Sequence, residues 1–265
     1  MLVAIGDAML IESPEGVRGG GIAPSYAWPA ALADLRAIPI ARLGQDDRAR
    51  RLRELLQHEQ IDTSLLQSDP DLPTARMVVR HLAGRTQRTV EPYAAFDNLQ
   101  WDFDLQDVAP QADIVVCGLR AQRTAQAGSV VRRFLDACAT SLRVLDMTYR
   151  PEVAVERSAV DQLLERSDII IADIPSWQAL RLGGDAPSAA SIAGLQKRGS
   201  SSVIAVFDDE GRLQLHAGAS RVTGRTAWDH AKRAGAVVSL CAALLAGAAP
   251  EEAMARVDED VAPCS

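Results

Sequence analysis

Lysine is nearly missing from this chain. Lys197 and Lys232 are the only two among 28 basic residues, so the positive charge is almost all arginine, a bias that fits a GC-rich genome rather than a function. Positive charge is also outnumbered: 35 Asp and Glu leave a formal net charge of −7 and a pI near 5.2. That excludes a broad nucleic-acid-binding surface, which needs a basic face, but not a local basic pocket. Aromatics make up 4% of the residues, and Trp28, Trp101, Trp177 and Trp228 are expected in the core or at its rim. The four cysteines, Cys117, Cys138, Cys241 and Cys264, show no Cys-x-x-Cys spacing. This argues against a zinc site or redox pair and for free thiols in a reducing cytoplasm. His58, His81, His216 and His230 likewise lack metal-ligand spacing. No apolar run reaches the ~20 residues of a membrane span. The longest, Ala234 to Ala249, reads as a buried helix, and the first residues lack the basic start of a signal peptide. The expectation is a cytoplasmic protein with neither membrane nor nucleic acid as partner.

What remains is ordinary globular composition: 265 residues, 48% hydrophobic, enough for one large domain with a substantial core. Short apolar runs alternate with amphipathic segments. Leu2–Ile5, Ile38–Arg42, Asp113–Cys117, Arg143–Asp146, Asp168–Ala172 and Ser202–Phe207 read as strands, with Leu213–Ala217 positioned to pair back on the last. Asp47–His58, Ala127–Ala139, Ala159–Arg166, Ser188–Arg198 and Asp229–Ala246 read as helices. This rhythm predicts an α/β fold, a mainly parallel sheet with helices on both faces. Thr74–Leu82 and Arg88–Tyr93 break the rhythm as a hairpin turning near Gly84, a candidate lid. Ligands of such sheets sit beyond the carboxyl ends of the strands, which singles out Gly6–Ile11, Gly118–Gln122, Asp146–Arg150, Asp173–Trp177 and Asp208–Gly211.

Six short motifs, in order, carry a resemblance. Gly20-Gly21 with Ala27 and Ala30 to Leu35 is similar to a glycine-pair signature, and Arg42-Leu43-Gly44-Gln45-Asp46 to a following Gly-Asp-Asp. Ile61-Asp-Thr-Ser64 with Pro73-Thr74 is similar to Val-Asp-Thr-Ser…Pro-Thr, and Asp146-Met-Thr-Tyr-Arg150-Pro151 to Asp-Pro-Asn-x-Arg. Asp173-Ile-Pro-Ser176 corresponds to Asn-x-x-Glu, and Asp229 to Gly235 to Asp-Thr-Thr-Gly-Ala-Gly-Asp. Together they resemble the ribokinase/PfkB family of carbohydrate kinases over nearly the whole chain. The resemblance implies a ribokinase-like fold in one domain, residues 1–265, with a small β lid from about 10–20 and 74–96.

For the site, the resemblance implies substrate contacts at Gly20, Gly21, Ser25, Asp146 and Arg150, a phosphate-binding turn at Lys232, Arg233, Ala234 and Gly235, and a magnesium-linked carboxylate at Asp173. An active member would use ATP and Mg²⁺, with a carboxylate taking the proton of the attacking hydroxyl. Here the pattern departs from the family. In one register Gly235 stands in the place of the catalytic aspartate; in a rival register Asp229 is the base. Lys232, Arg233 and Ala234 replace a glycine-rich turn whose bare N–H groups would approach a phosphate closely. Lys232 and Arg233 are expected to face solvent, the usual place for charge at a helix end; their alternative is attraction of an anion. Met9-Leu10-Ile11 and Ser25 stand where the family carries a sugar-binding aspartate and asparagine. Ser176 lacks the carboxylate of the magnesium motif, and Asp208 would repel a polyphosphate. The short stretch from Glu12 to Arg18 suggests a reduced lid. Asp146 and Arg150 could contact a ligand phosphate or pair with each other.

Two functions follow. One is a degenerate, non-phosphorylating binding or regulatory module; the other is a divergent ATP-dependent kinase of a sugar or nucleoside-like hydroxyl. Either would take a small molecule in the sheet cleft. Uncovered strand edges around Thr74–Tyr93 suggest a homodimer formed through the lid.

Overall fold

The computed structural model describes residues 1–82, 85–148, 155–199, 201–228 and 232–259. Arg150, Asp229 and His230 lie outside the described residues. In chain order the strands are β1 (Leu2–Ile5), β2 (Met9–Ser13), β3 (Gly16–Gly20), β4 (Ala37–Gly44), β5 (Leu66–Asp69), β6 (Ala75–Leu82), β7 (Arg85–Val90), β8 (Ile114–Gly118), β9 (Leu142–Asp146), β10 (Ile169–Asp173), β11 (Val203–Phe207), β12 (Arg212–Ala217) and β13 (Ser220–Ala227). The helices are α1 (Ile22–Leu32), α2 (Asp47–His58), α3 (Phe103–Val108), α4 (Ala125–Ala137), α5 (Arg157–Leu164), α6 (Ile174–Ala179), α7 (Ala189–Arg198), α8 (Arg233–Leu245) and α9 (Pro250–Glu259).

Nine strands form the central sheet in the order β13-β12-β11-β10-β9-β8-β1-β4-β5. It is parallel from β5 to β11, and β12 and β13 return antiparallel at one edge. The central strands are buried on both faces, so they read as continuous apolar runs, and their side chains alternate between two cores. Leu2 and Ala4 of β1 join the core under α1, α2, α8 and α9, while Val3 and Ile5 join the core under α3 to α7, which holds Phe134 and Trp177. Trp177 and Trp228 are buried, and Trp101 packs edge-on to Phe134 beneath the Arg133 guanidinium.

A second sheet, ordered β3-β2-β6-β7, stands against the first. The stretch expected to shorten the lid contributes β2 and β3, because Glu12 to Arg18 doubles back as a hairpin with Ser13 opposite Gly16. The partner strand β7 begins at Arg85, earlier than the sequence pattern suggested, since its ladder with β6 extends to Leu82. A third, small core lies under this sheet, with Met9, Ile11, Ala75, Met77, Ala94 and Phe96.

Two carboxylates fix where the second sheet departs from the first. Asp46 caps α2 by accepting the Ala49 N–H, and it also accepts the Thr74 N–H, each at 2.8 Å. Asp69, fully buried at the end of β5, accepts from the N–H groups of Asp71 and Leu72, from Asn98 and from the Arg42 guanidinium at 2.7–2.9 Å. Burial alone would raise the Asp69 carboxyl, but these donors outweigh it and bring it down to about 2 from an ordinary 3.8. A lowered folded-state pKa stabilises above pH 4, and that contribution is lost as pH falls through about 2. Asp69→Asn is therefore expected to lose about 2 kcal/mol at pH 7 and to show a flatter decline between pH 4 and 2. Urea denaturation across that range checks this, and parallel curves for the two proteins would exclude the role.

Candidate functional site

A cleft of about 590 Å³ opens between the carboxyl ends of the central strands and the inner face of the second sheet. Three aspartates mark the ends of β1, β9 and β10. Each is answered by a different device, because an uncompensated buried carboxylate is costly.

Asp7 follows β1 and is fully buried. One oxygen pairs with Arg120 Nη1 at 2.6 Å, the other accepts the Ile22 N–H at 3.3 Å, and its carbonyl accepts the Ala23 N–H. The first turn of α1 thus sits directly on Asp7. Gly21 caps that helix at φ 90°, and a Cβ there would collide with the Asp7 backbone oxygen. Glycine at this position is a requirement of that close approach.

Asp146 ends β9 and faces the cleft. It accepts the Tyr26 hydroxyl at 2.9 Å and the Thr148 N–H at 2.8 Å. Burial pushes the Asp146 carboxyl up, the charge of Asp173 adds to that, and the Thr148 and Tyr26 donors oppose it. Tyr26 is itself raised well above its ordinary value, by burial first and by Asp146 next. Cys117 and Cys241 are nearby buried thiols pushed up to about 12 by burial, which leaves them inert as nucleophiles at neutral pH.

Asp173 ends β10, nearly fully buried. Its Oδ1 caps α6 by accepting the Ser176 N–H at 2.9 Å, and the Ser176 hydroxyl answers the Asp173 N–H, a reciprocal capping box. Its Oδ2 pairs with Arg233 Nη1 at 2.9 Å. The Arg233 guanidinium lies 4.8 Å above the Phe207 ring.

Of the residues expected from the sequence, Gly21, Ser25, Asp146, Arg233 and Ala234 line the cleft. Gly20 lies behind it, where a Cβ would strike Ile11. Lys232 is exposed and precedes α8. Arg233 is the correction: rather than facing solvent, it turns inward, because the buried Asp173 needs a cation and α8 begins within reach. Gly235 falls in the first turn of α8, where a Cβ would lie 3.7 Å from the Pro29 side chain. Asp208, expected to repel a polyphosphate, is compensated by the Arg212 guanidinium at 3.1 Å. Arg150, the expected partner of Asp146, lies outside the described residues, and Asp146 accepts from Tyr26 and Thr148.

The cleft also holds residues that no motif marked: Asp7, Tyr26, Arg120, Phe207 and, from the second sheet, Arg18 and Arg88. Asp7 and Arg120 fall in strand-end segments that topology singles out, but their pairing across 113 positions leaves no local trace.

The donor set tests the expected magnesium. Both oxygens of Asp173 are committed, one to a helix cap and one to a guanidinium that already neutralises it. Among the described residues no cluster of three or more His, Cys, Asp or Glu could hold a metal ion. These residues do not fit a resident Mg²⁺. The head of α8, the stretch that resembles the family's phosphate-binding turn, carries the Arg233 side chain rather than a bare glycine backbone.

No protein-family model matches the chain, and no curated protein matches it. Solved structures do. The PfkB protein from Polaromonas sp. JS666 superposes with a TM-score of 0.80 at 18% identity, covering 97% of this chain and 93% of that one. A fructokinase from Xylella fastidiosa with bound ATP gives 0.79 at 18% identity, covering 97% and 88%. An Arabidopsis thaliana ribokinase complexed with ribose and ATP gives 0.76 at 16% identity, covering 96% and 88%. The chain has the ribokinase-like fold of the PfkB sugar kinases. Among the described residues no helix is long and apolar enough to cross a membrane.

The raised Asp146 carboxyl has a thermodynamic consequence. A folded-state pKa above the unfolded one costs stability once pH rises past the unfolded value near 4. Asp146→Asn, whose Oδ1 can still accept the Thr148 N–H while its amide NH2 donates to the Tyr26 hydroxyl oxygen, is expected to melt higher than the native protein at pH 7, the difference closing as pH falls to 4. Thermal melts at the two pH values measure it; an equal or lower melting point at pH 7 would contradict the assigned burial cost.

Proposed function

We propose that this chain binds a small hydroxylated molecule in the cleft between its two sheets and does not phosphorylate it, acting as a binding or regulatory module on a sugar-kinase fold. The observation that carries this reading is Arg233. It occupies the head of α8, the stretch that resembles the family's phosphate-binding turn, and is held inward by Asp173 and Phe207. A turn that cradles phosphate needs bare N–H groups and small residues; here a guanidinium fills the space, and Gly235 supplies no carboxylate in the register that places it at the base. Asp146, Ser25 and Gly21 remain as the polar floor for ligand hydroxyls, with Arg150 a further candidate. The buried free thiols Cys117, Cys138 and Cys241 suit a reducing cytoplasm.

A second reading has its own support. Structural neighbours carry the names fructokinase and ribokinase, and some hold ATP. In that reading Asp229 is the base, ATP the phosphoryl donor and the substrate a sugar-like alcohol. Calorimetry with ATP–Mg²⁺, together with a phosphorus NMR assay against a panel of sugars and nucleosides, separates the two. The expected result is no γ-phosphoryl transfer to any panel member. Transfer that disappears in Asp229→Ala would establish the kinase reading instead.

We also propose a homodimer through the second sheet. Its edge strands β3 and β7 have open sides, and Val17 and Leu82 are exposed there. Light scattering at micromolar concentration should give twice the 28.4 kDa chain mass; a monomer mass would refute it.

A further inference from the structure

We infer that the outer face of α1 and α8 is a contact between two copies of this chain, related by a two-fold axis and separate from the pairing through the second sheet. Charge is absent from both helices. No Asp, Glu, Lys, Arg or His stands from Ile22 to Ala33 or from Ala234 to Ala249. The helices lie side by side, close enough that a Cβ on Gly235 would be 3.7 Å from the Pro29 side chain, and their inner residues join one core. A helix with one face in water ordinarily carries charge on that face. α2 and α9, over the same core, do so: Arg50 pairs with Glu54, and Arg256 with Glu252, on their exposed sides. α1 and α8 instead turn Leu32 and Leu245 outward, 72% and 49% exposed.

Leu245 forms one wall of a groove of about 290 Å³, lined also by Leu35, Ile114, Ala242 and Ala246. The groove lies where α8 ends and β8 begins, at the end of the sheet opposite the cleft. The charged side chain at its rim, Asp113, is paired with the Met1 ammonium. A face without charge of its own cannot select a different protein by charge pattern. It presents apolar knobs beside an apolar groove, and a two-fold contact requires a surface to receive what it presents. Leu32 and Leu245 of one copy therefore have their seat in the groove of the other. Net charge points the same way. Chains of net charge −7 repel one another, and an uncharged face is where two of them meet at least cost. The helices are 11 and 13 residues long. At roughly 1.5 Å per residue and about 10 Å per helix width, they cover a face of about 300–400 Å², roughly half of the ~800 Å² each partner gives to a stable complex. The pairing is accordingly weak, forming toward millimolar rather than at micromolar concentration.

Analytical ultracentrifugation of the full chain from micromolar to millimolar concentration tests this. The chain carries Val17→Glu and Leu82→Glu, so pairing through the second sheet is removed and the result stands whether or not the native protein uses it. The expected result is a monomer at micromolar concentration and a rise toward a plateau at twice the 28.4 kDa chain mass as millimolar is approached. Adding Leu32→Glu or Leu245→Glu should each move the midpoint about tenfold higher in concentration, and adding both should abolish the rise. Added salt should leave the rise in place, since no ion pair carries the contact. Both leucines are exposed, so an unchanged melting curve confirms that the variants fold. A monomer mass across the whole range would leave the face to a different partner and overturn the inference. A rise that survives the double leucine variant would place the contact elsewhere, and growth past twice the chain mass without a plateau would mean a head-to-tail contact; either result also overturns it.

Discussion

Three carboxylates at the ends of parallel strands, Asp7 and Asp173 buried and Asp146 half-buried, are the constraint from which the rest of the cleft follows. A strand buried on both faces delivers its last residue to the edge of the sheet, where the low dielectric makes a bare charge expensive. Asp7, Asp146 and Asp173 meet this cost with an arginine plus a helix N–H, a tyrosine plus a turn N–H, and an arginine plus a helix cap. Each answer ties another element to the sheet: α1 and the segment after β8 through Asp7, α1 again through Tyr26, α6 and α8 through Asp173. The groups that neutralise the floor therefore also set the walls of the cleft.

Much of the fold was legible because its signals are local. The helix expected at Asp47–His58 has those bounds, with Asp46 as its cap, and the apolar runs ending in Gly118, Asp146 and Asp173 became β8, β9 and β10. The return of β12 onto β11 was also readable. The strands that the local pattern did not mark are β2, β3, β5 and β13; only the resemblance, through a lid at about 10–20, pointed to the first two, and two of the four are exposed edges. β3 is Gly-Val-Arg-Gly-Gly and mostly exposed, and β13 is an exposed edge strand of mixed polarity. Such strands gain their order from a neighbour's hydrogen bonds rather than from burial, so no apolar alternation announces them.

The site was less legible for a different reason. Sequence motifs mark where a backbone must bend or a helix begin, which is why Gly21, Ser25, Asp146 and Arg233 could be named. Direction is another matter. Arg233 at a helix end would ordinarily be solvated, and the residue that turns it inward, Asp173, lies 60 positions earlier. Topology brings the two together through the placement of α8 near the end of β10, and only the folded chain expresses that proximity.

Arginine can itself bind phosphate, so Arg233 at the head of α8 does not by chemistry alone exclude an anion there. Its commitments do the excluding. To serve a phosphate it would have to release Asp173, leaving a nearly buried carboxylate without its cation, and give up its seat on Phe207. Losing the partner of a buried charge costs about 3–5 kcal/mol, and the cation–π contact adds to that. A ligand anion at the floor meets cations already paired with the buried Asp7 and Asp173.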